Sequence, residues 1–391
     1  MNTVSRKPTI DDTFKFIWHD YHCPNTDTNR KTDWMPSQDI KDQQPLLFME
    51  LAEKFVESVA KSDVLPFDFN KSMYGTILKE GNRLGELFYE LLRQQNQTAV
   101  NPDEVKPHLR FTATSQIRNC DRARYAEYKY EISENLKILY AVASDLNLHR
   151  ANFTGDPMSR IGTGGMFEGE LINSFVTRLQ EATKRESFKT KVAEREREPR
   201  NSIMKSIRYI DRLYANHPSL YGVRMVFCYR NYYANSIILE ESADHLVNFL
   251  EAFETNPKLG SPVGWWWKRE FITEVGYRYH LIIFFDGRKT AYKPKQFQDV
   301  YNRHWHSVTR NQGTSFIPPV PEMDYQLCGA GLPQQEYEES LESLLLSIQC
   351  MLFRDIFLRL ERRLKFDHFG MGKLPRSTSY KPPKNSVTQP R

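Results

Sequence analysis

Two aromatic and β-branched segments separated by four residues constrain the fold more than any other feature. VGWWWKREFI (263–272) and YRYHLIIFF (277–285) have the composition of β-strands, and residues 273–276 join them. Such a short connection between two strands favours an antiparallel hairpin. The sequence therefore predicts a hairpin with two long, largely hydrophobic arms.

The register of this hairpin decides which polar side chains share a face. A three-residue loop often ends in a glycine in the left-handed conformation, which makes Gly276 the last loop residue. Thr273 then faces Tyr277, and Glu270 lies directly opposite His280. Cross-strand partners point to the same face with Cβ atoms about 5 Å apart. A carboxylate and an imidazole placed in this way can share a divalent cation or a hydrogen bond.

Strand alternation adds three residues to the same face. Lys268 is two residues from Glu270, and Arg278 is two residues from His280. Of the three consecutive tryptophans, only Trp266 shares this face. Arg and Lys can neutralise phosphates and aromatic rings can stack on unpaired bases, so this cluster suits a DNA-binding site. A salt-bridged cluster on a solvent face is the alternative, and a two-residue turn would separate Glu270 from His280.

The rest of the chain predicts a mostly helical N-terminal half and an α+β C-terminal half. Helices are expected at 43–62, 71–95, 117–147, 203–218, 240–254, 293–308 and 336–366, a further strand at 222–230, and a glycine-rich loop at 152–169. The predicted regions are an irregular segment 1–42, a helical region 43–182, a charged linker or helix 183–202, a domain 203–375, and a basic disordered tail 376–391. The order strand, helix, strand, strand, helix indicates an antiparallel sheet with flanking helices.

Composition excludes several classes of protein. About 40% of the residues are hydrophobic and 26% are charged, an ordinary globular balance. We expect no transmembrane helix and no secretion signal, and hence a cytoplasmic protein without a membrane partner. The cysteines are scattered and form no CxxC pair, which argues against a zinc ribbon and a disulfide framework. They are Cys23, Cys120, Cys228, Cys328 and Cys350.

The positive charge is concentrated at the C-terminal end. The chain carries a net charge of +5, whereas residues 350–391 hold ten Lys/Arg and three Asp/Glu. A basic tail often meets an anionic partner, most commonly nucleic acid. The alternative is a solvated tail with no partner.

Four stretches together resemble the YagK/YfjJ C-terminal domain, a family of inovirus-type replication proteins encoded by phages and prophages. They are SLYGVRMVFCYR, GWWWKREFITEVGYRYHLIIFFDG, the helix with Trp305 followed by Gly313 and Phe316, and FRDIFLRLERRLKFDHFGMGKLP. The resemblance covers residues 203–375. It implies an HUH-endonuclease-like domain with an RRM-like palm in a bacterial host cytoplasm, and single-stranded or origin DNA as the partner.

HUH endonucleases nick one DNA strand with a tyrosine, which becomes joined to the 5′ phosphate. Two histidines that flank a hydrophobic residue, often with an acidic residue from the neighbouring strand, hold a divalent metal that polarises the scissile phosphate. By resemblance, His280 matches the second histidine, Tyr279 the hydrophobic residue and Glu270 the acidic partner. The resemblance thus implies a Mg²⁺ or Mn²⁺ site at Glu270 and His280.

Two positions depart from the family pattern. Arg278 holds the first histidine position, and a guanidinium remains protonated and cannot ligate a metal. Met351 stands where the family shows its tyrosine, so Tyr337 is the candidate catalytic residue and Tyr325 a weaker one. Arg354, Arg362 and Arg363 on the last helix join Lys268, Arg278 and Trp266 as candidate DNA-binding residues.

Two other patterns mimic metal sites. His304-Trp305-His306 falls in a predicted helix, where residues i and i+2 diverge by about 200° and share a ligand poorly. We expect Trp305 to dock inward there. The stretch 19–23 (His-Asp-Tyr-His-Cys) has metal-binding residue types, but no second ligand cluster lies at a useful spacing.

Three functions remain open at this point. The first is a rolling-circle-type initiator that binds an origin and nicks it. The second is a catalytically degenerate DNA-binding or regulatory protein on the same fold, which Arg278 and Met351 favour. The third places the main function in the N-terminal helical region, as a binder of host replication proteins.

Overall fold

A computed structural model gives the structure of the protein. It describes residues 8–21, 44–72, 75–96, 130–161, 165–234, 236–272, 276–288, 294–318, 337–360 and 366–374. The chain forms two compact units. The N-terminal unit comprises Arg6–Asn201 and Gln349–Arg363, and the C-terminal unit comprises Met1–Ser5, Ser202–Ile348 and Leu364–Arg391.

Helices dominate the N-terminal unit. They are α1 (Ile10–Tyr21), α2 (Gln44–Lys61), α3 (Arg83–Asn96), α4 (Glu134–Asp145), α5 (Glu168–Lys184) and the first half of α6 (Glu186–Asn216). Short antiparallel pairs accompany them: β1 (Phe67–Ser72) with β2 (Gly75–Gly81), β4 (Arg160–Ile161) with β5 (Met166–Phe167), and β3 (Tyr130–Ile132) with β10 (Leu358–Leu360). One apolar core joins these elements. At its centre Phe55, Phe88 and Phe175 stack within 6.2 Å of one another.

Three expectations for this unit were wrong. A single helix was expected over 117–147, but β3 occupies Tyr130–Ile132, α4 begins only at Glu134, and residues 117–129 lie outside the described residues. The segment 1–42 was expected to be irregular, yet α1 forms and buries Phe14 completely. Thr9 and Asp12 cap this helix, because the Thr9 backbone N–H donates to the Asp12 carboxylate and the Asp12 N–H donates to the Thr9 hydroxyl. The helix expected at 71–95 is instead the β1–β2 hairpin followed by α3, and Gly75 has φ +137° at the turn.

The C-terminal unit is built on a five-stranded antiparallel sheet. Its strands are β6 (Leu220–Tyr229), β7 (Gly264–Ile272), β8 (Gly276–Asp286), β9 (Gly313–Phe316) and β11 (Phe369–Met371), in the order β11-β7-β8-β6-β9. The helices are the second half of α6, the short α7 (Asn231–Ala234), α8 (Leu239–Thr255), α9 (Pro294–Val308) and the first part of α10 (Tyr337–Phe357). The expected α+β class with an antiparallel sheet is confirmed.

One face of this sheet, the aromatic face, packs on α8 and α9. Trp305 of α9 is fully buried, and its ring lies 5.5 Å from Phe227 and 5.4 Å from Phe249. A polar pair lies within this face, where the Tyr279 hydroxyl and Ser242 Oγ are 2.7 Å apart. Residues at odd positions of the central strands point to this face, as the alternation predicts.

The other face, the charged face, carries the even positions. Helix α6 covers one part of it, because Trp266 Nε1 donates to Ser206 Oγ at 2.9 Å. Helix α10 covers another part, where a Cβ added at Gly222 would lie 3.1 Å from Leu344 Cδ2. Both faces are therefore buried, which explains why β6 and β8 read as near-continuous hydrophobic runs.

The ends of the elements match the expected ones in part. The stretch 183–202 is helical, and the division between the units falls inside α6, between residues 201 and 202. Helix α10 ends at Phe357, earlier than the expected 366, and β10 follows it directly. The tail 376–391 lies outside the described residues. Among those that are described, no helix has both the length and the apolar composition that a membrane crossing requires.

Candidate functional site: a buried ion-paired cluster

The hairpin of β7 and β8 positions the candidate site. Its last backbone pair joins Ile272 to Gly276, and Gly276 has φ +72°. A Cβ at this position would lie 2.2 Å from the carbonyl oxygen of Ala234 in α7. Both the left-handed backbone and the close approach of α7 therefore require glycine here.

The register of the hairpin differs by two residues from the expected one. Glu270 lies opposite Arg278, and Lys268 lies opposite His280. The prediction that Glu270 directly faces His280 was wrong, because Gly276 is the first residue of β8 rather than the last of the loop. A shift of two residues preserves the face to which each side chain points. All four residues consequently share the charged face.

One carboxylate oxygen holds the cluster together. Glu270 Oε2 accepts hydrogen bonds from Arg278 Nε at 3.0 Å and from Arg278 Nη2 at 2.7 Å. His280 Nε2 lies 3.0 Å from the same oxygen. The three residues are 5%, 2% and 0% exposed, respectively. This is a buried ion pair with an imidazole as its third member.

Arg224 of β6, which the sequence analysis did not place in the site, lies on the far side of His280. Its Nη2 donates to His280 Nδ1 at 3.4 Å, and its side chain is 2% exposed. Since a guanidinium can only donate, Nδ1 is the acceptor and the imidazole proton lies on Nε2, where it is donated to Glu270. The signal for Arg224 was its position as the one charged residue within a hydrophobic strand.

These contacts do not fit a divalent metal between Glu270 and His280. A ligating histidine must offer a nitrogen lone pair to the ion, but Nε2 carries a proton toward Glu270 and Nδ1 accepts from Arg224. Two guanidinium groups also border the position, and their charges oppose the approach of a cation. In the described part of the chain, no three His, Cys, Asp or Glu side chains are grouped to hold a metal.

The candidate DNA-binding residues on the sheet are buried. Lys268 is 1% exposed and Arg278 is 2% exposed. Trp266 is fully buried, and its ring packs under α6 rather than presenting a stacking surface. Arg354, in the part of α10 that belongs to the N-terminal unit, is 5% exposed. In this arrangement, none of these four side chains presents its charge or ring to a ligand at the surface.

The other candidates fall at the edge of the described residues or beyond it. Tyr337 is the first residue of α10, but its side chain lies outside the described residues, as do Tyr325, Arg362 and Arg363. Met351, at the position of the family's tyrosine, is fully buried in α10.

His304-Trp305-His306 and the stretch 19–23, the two other patterns with metal-binding residue types, do not join the ion-paired cluster. His304 and His306 lie in α9, and Trp305 between them docks inward as expected, with Nε1 donating to the Cys228 carbonyl at 3.0 Å. The His304 ring stacks on Phe249 at 5.0 Å, and burial lowers the pKa of both histidines. In the stretch 19–23, the histidine and cysteine side chains lie outside the described residues.

Comparison of the chain with models of known protein families, with characterised proteins and with solved structures found no significant match.

Proposed function

We propose that this chain is a DNA-binding protein of the inovirus replication type whose C-terminal unit has lost metal-dependent nicking. In this proposal, residues 203–375 form an HUH-like palm in which an ion pair replaces the metal centre. The observation that carries the proposal is the binding of the Arg278 guanidinium to Glu270 Oε2 at 3.0 and 2.7 Å. The group that would serve as the acidic ligand is thereby neutralised by the residue at the first histidine position.

The DNA-binding half of the proposal rests on different observations. The strands β6, β7 and β8 and the late Phe369–Gly372 segment carry the resemblance to the replication proteins. The ten Lys/Arg against three Asp/Glu in residues 350–391 supply charge that suits a phosphate backbone. The partner in this proposal is single-stranded or origin DNA.

A second candidate is the nicking initiator itself, with Mg²⁺ or Mn²⁺ at Glu270 and His280 and Tyr337 as the nucleophile. The 3.0 Å approach of these two side chains on one sheet face favours it. It requires Arg278 to leave Glu270 and the imidazole to shift its proton. For that reason the degenerate DNA-binding protein is the better supported of the two.

One experiment separates these functions. The full chain is mixed with a randomised pool of single-stranded oligonucleotides, so that every short recognition sequence is present, together with Mn²⁺ or Mg²⁺. Binding is followed by fluorescence anisotropy across salt concentrations, and covalent adducts are sought on a denaturing gel. We expect binding that weakens as salt rises, without an adduct.

The other outcomes are equally informative. An adduct, especially one lost on Tyr337→Phe, would establish the nicking initiator and refute the loss of cleavage. Absence of any DNA binding at low salt would refute both candidates.

A further inference from the structure

The second half of α6 presents a row of cations to solvent. Lys205, Arg208 and Arg212 are all exposed, whereas the adjoining side of the same helix buries Tyr209 and Leu213 within the C-terminal unit. The three cations follow the spacing i, i+3 and i+7, which places them along one stripe of a helix. Seven residues of helix rise by about 10 Å.

Within the described residues, the side chains of Lys205, Arg208 and Arg212 form no ion pair and no hydrogen bond, and the Arg212 carbonyl accepts from Asn216 Nδ2 at 3.0 Å. Earlier in the same helix the pattern is different, since Arg200 forms an ion pair with Glu196. The nearest acid in sequence, Asp211, is exposed and borders the row three residues after Arg208, but it forms no ion pair with any of the three cations.

A second segment of the C-terminal unit brings another cation to this region. A Cβ added at Gly372, which follows β11, would lie 2.9 Å from the Tyr209 hydroxyl of α6 and 2.9 Å from the Trp265 ring. The next residue, Lys373, is exposed, and Trp265 itself is partly exposed. The segment that carries Lys373 therefore packs beside α6 at the edge of the sheet where β7 pairs with β11, while the Trp265 ring packs on Phe253 at 5.2 Å.

We propose that this surface binds the phosphate backbone of single-stranded DNA. It consists of Lys205, Arg208, Arg212 and Lys373, and is called the α6 basic surface below. The inference rests on the proposed DNA-binding function and locates it. The cations expected to contact DNA from the sheet are buried in the charged face, whereas these four are exposed.

The dimensions and chemistry of the surface suit a nucleic-acid strand. A length of about 10 Å corresponds to about three nucleotides at the rise of 3.4 Å per residue of one strand. Each exposed cation can neutralise a phosphate of a strand of this length. We assign a single strand because it is the partner in the proposed function, and a duplex of the same sequence serves as the comparison.

The test compares two variants of the full chain that lose the same charge. In the test variant, Lys205→Gln, Arg208→Gln and Arg212→Gln are combined. In the control, Arg150→Gln, Arg178→Gln and Lys189→Gln remove one lysine and two arginines from exposed positions of the N-terminal unit. Circular dichroism melting confirms that both fold, as expected for exposed positions. The probe is a fluorescent single-stranded DNA of mixed sequence.

Each phosphate contact contributes about 0.7 to the slope of log K against log salt for a single strand. We therefore expect the test variant to lose about 2 from this slope and to bind about 100-fold more weakly at 0.1 M salt. The control should keep the slope and lose far less affinity.

Three results bear on the inference in distinct ways. If the parent binds DNA but the test variant matches the control, the α6 basic surface is refuted while the proposed function stands. If the parent binds no DNA, the proposed function itself fails. Equal or tighter binding of a duplex of the same sequence would overturn the assignment to a single strand.

Discussion

Two buried glutamates, one in each unit, are held by opposite kinds of partner. Glu270 in the C-terminal unit accepts from the Arg278 guanidinium and contacts the His280 imidazole. Glu53 in α2 of the N-terminal unit is 1% exposed and accepts from two neutral donors, the Ser133 hydroxyl and the Asn135 amide. Burial raises the pKa of Glu53 to about 7. The hydrogen bonds from Ser133 and Asn135 lower this pKa but offset only part of the effect of burial.

The difference shows what a buried carboxylate is suited to do. With neutral partners, Glu53 keeps its proton into the neutral range and serves as a hydrogen-bonding group that fixes the start of α4, where Ser133 is the N-cap. Glu270 is paired with a cation, and such buried pairs contribute little net stability. The ion-paired cluster is therefore not explained by a gain in stability.

The largest effect is expected for Glu270→Gln. This change leaves the Arg278 guanidinium buried without its carboxylate, and should lower the free energy of unfolding by about 4 kcal/mol. Urea denaturation of the variant and the parent at pH 7 measures the loss. A loss below about 1 kcal/mol would mean that Glu270 is not the counter-ion of this cluster.

The second effect is the pH dependence that Glu53 confers. Its pKa rises from 4.5 to about 7 on folding, so the folded state keeps a proton that the unfolded state releases. The stability from this group is complete below pH 4.5, falls as the pH rises to 7, and stays constant above that. The decrease amounts to about 3 kcal/mol.

Glu53→Gln isolates this contribution. Urea denaturation at pH 5 and pH 8 should show the variant gaining on the parent by about 2.5 kcal/mol between the two pH values, because part of the decrease has already occurred at pH 5. A difference that does not change with pH would contradict the raised pKa. Glu270→Gln, measured at the same two pH values, gives the comparison with a buried carboxylate whose partner is a cation.

A smaller effect is expected from Arg278→His, which restores the family's pattern of two histidines around Tyr279. The change removes the guanidinium from Glu270 and adds an imidazole on the same sheet face. We expect 1 mM Mn²⁺ to stabilise this variant by about 1.5 kcal/mol, a Tm rise of about 4 °C, and to leave the parent unchanged. Thermal melts with and without Mn²⁺ measure both, and an equal shift in the two proteins would show that the metal binds elsewhere.

The smallest effect is expected from Asn135→Ala at pH 5. The variant removes one hydrogen bond to a carboxyl group that is protonated at this pH, which should cost about 1 kcal/mol. Chemical denaturation measures it. A cost as large as that of Glu270→Gln would erase the distinction between neutral and charged partners.

Local sequence patterns predicted the three long strands β6, β7 and β8, but not the short edge strands β9 and β11. Alternation and the glycine at position 276 placed Glu270, Arg278 and His280 on one face, even though the register was off by two residues. An even shift in register leaves every side chain on the same face of the sheet. The register itself depends on which two residues form the last backbone pair before the turn. The turn sequence alone did not determine that pair.

The hairpin of β7 and β8 could not predict that Arg224 belongs to the cluster. Arg224 lies on β6, and the pairing of β6 with β8 depends on the strand order of the whole sheet. Both faces of its strand are buried, because α6 and α10 pack on the charged face of the sheet. The helix expected over 71–95 failed for a related reason. Gly75 permits a turn with positive φ, and the apolar residues around it suited a helix and a strand equally well.

Manganese binding at Glu270 and His280 tests the central claim most directly. Mn²⁺ is titrated into the parent chain and into His280→Gln. The electron paramagnetic resonance signal of free Mn²⁺ is recorded, and the amount of bound ion is calculated from the loss of that signal. We predict that the two proteins bind the same amount of Mn²⁺, because Arg278 and Arg224 already occupy the carboxylate and the imidazole. One additional Mn²⁺ bound by the parent and absent from His280→Gln would contradict this account and favour the nicking initiator.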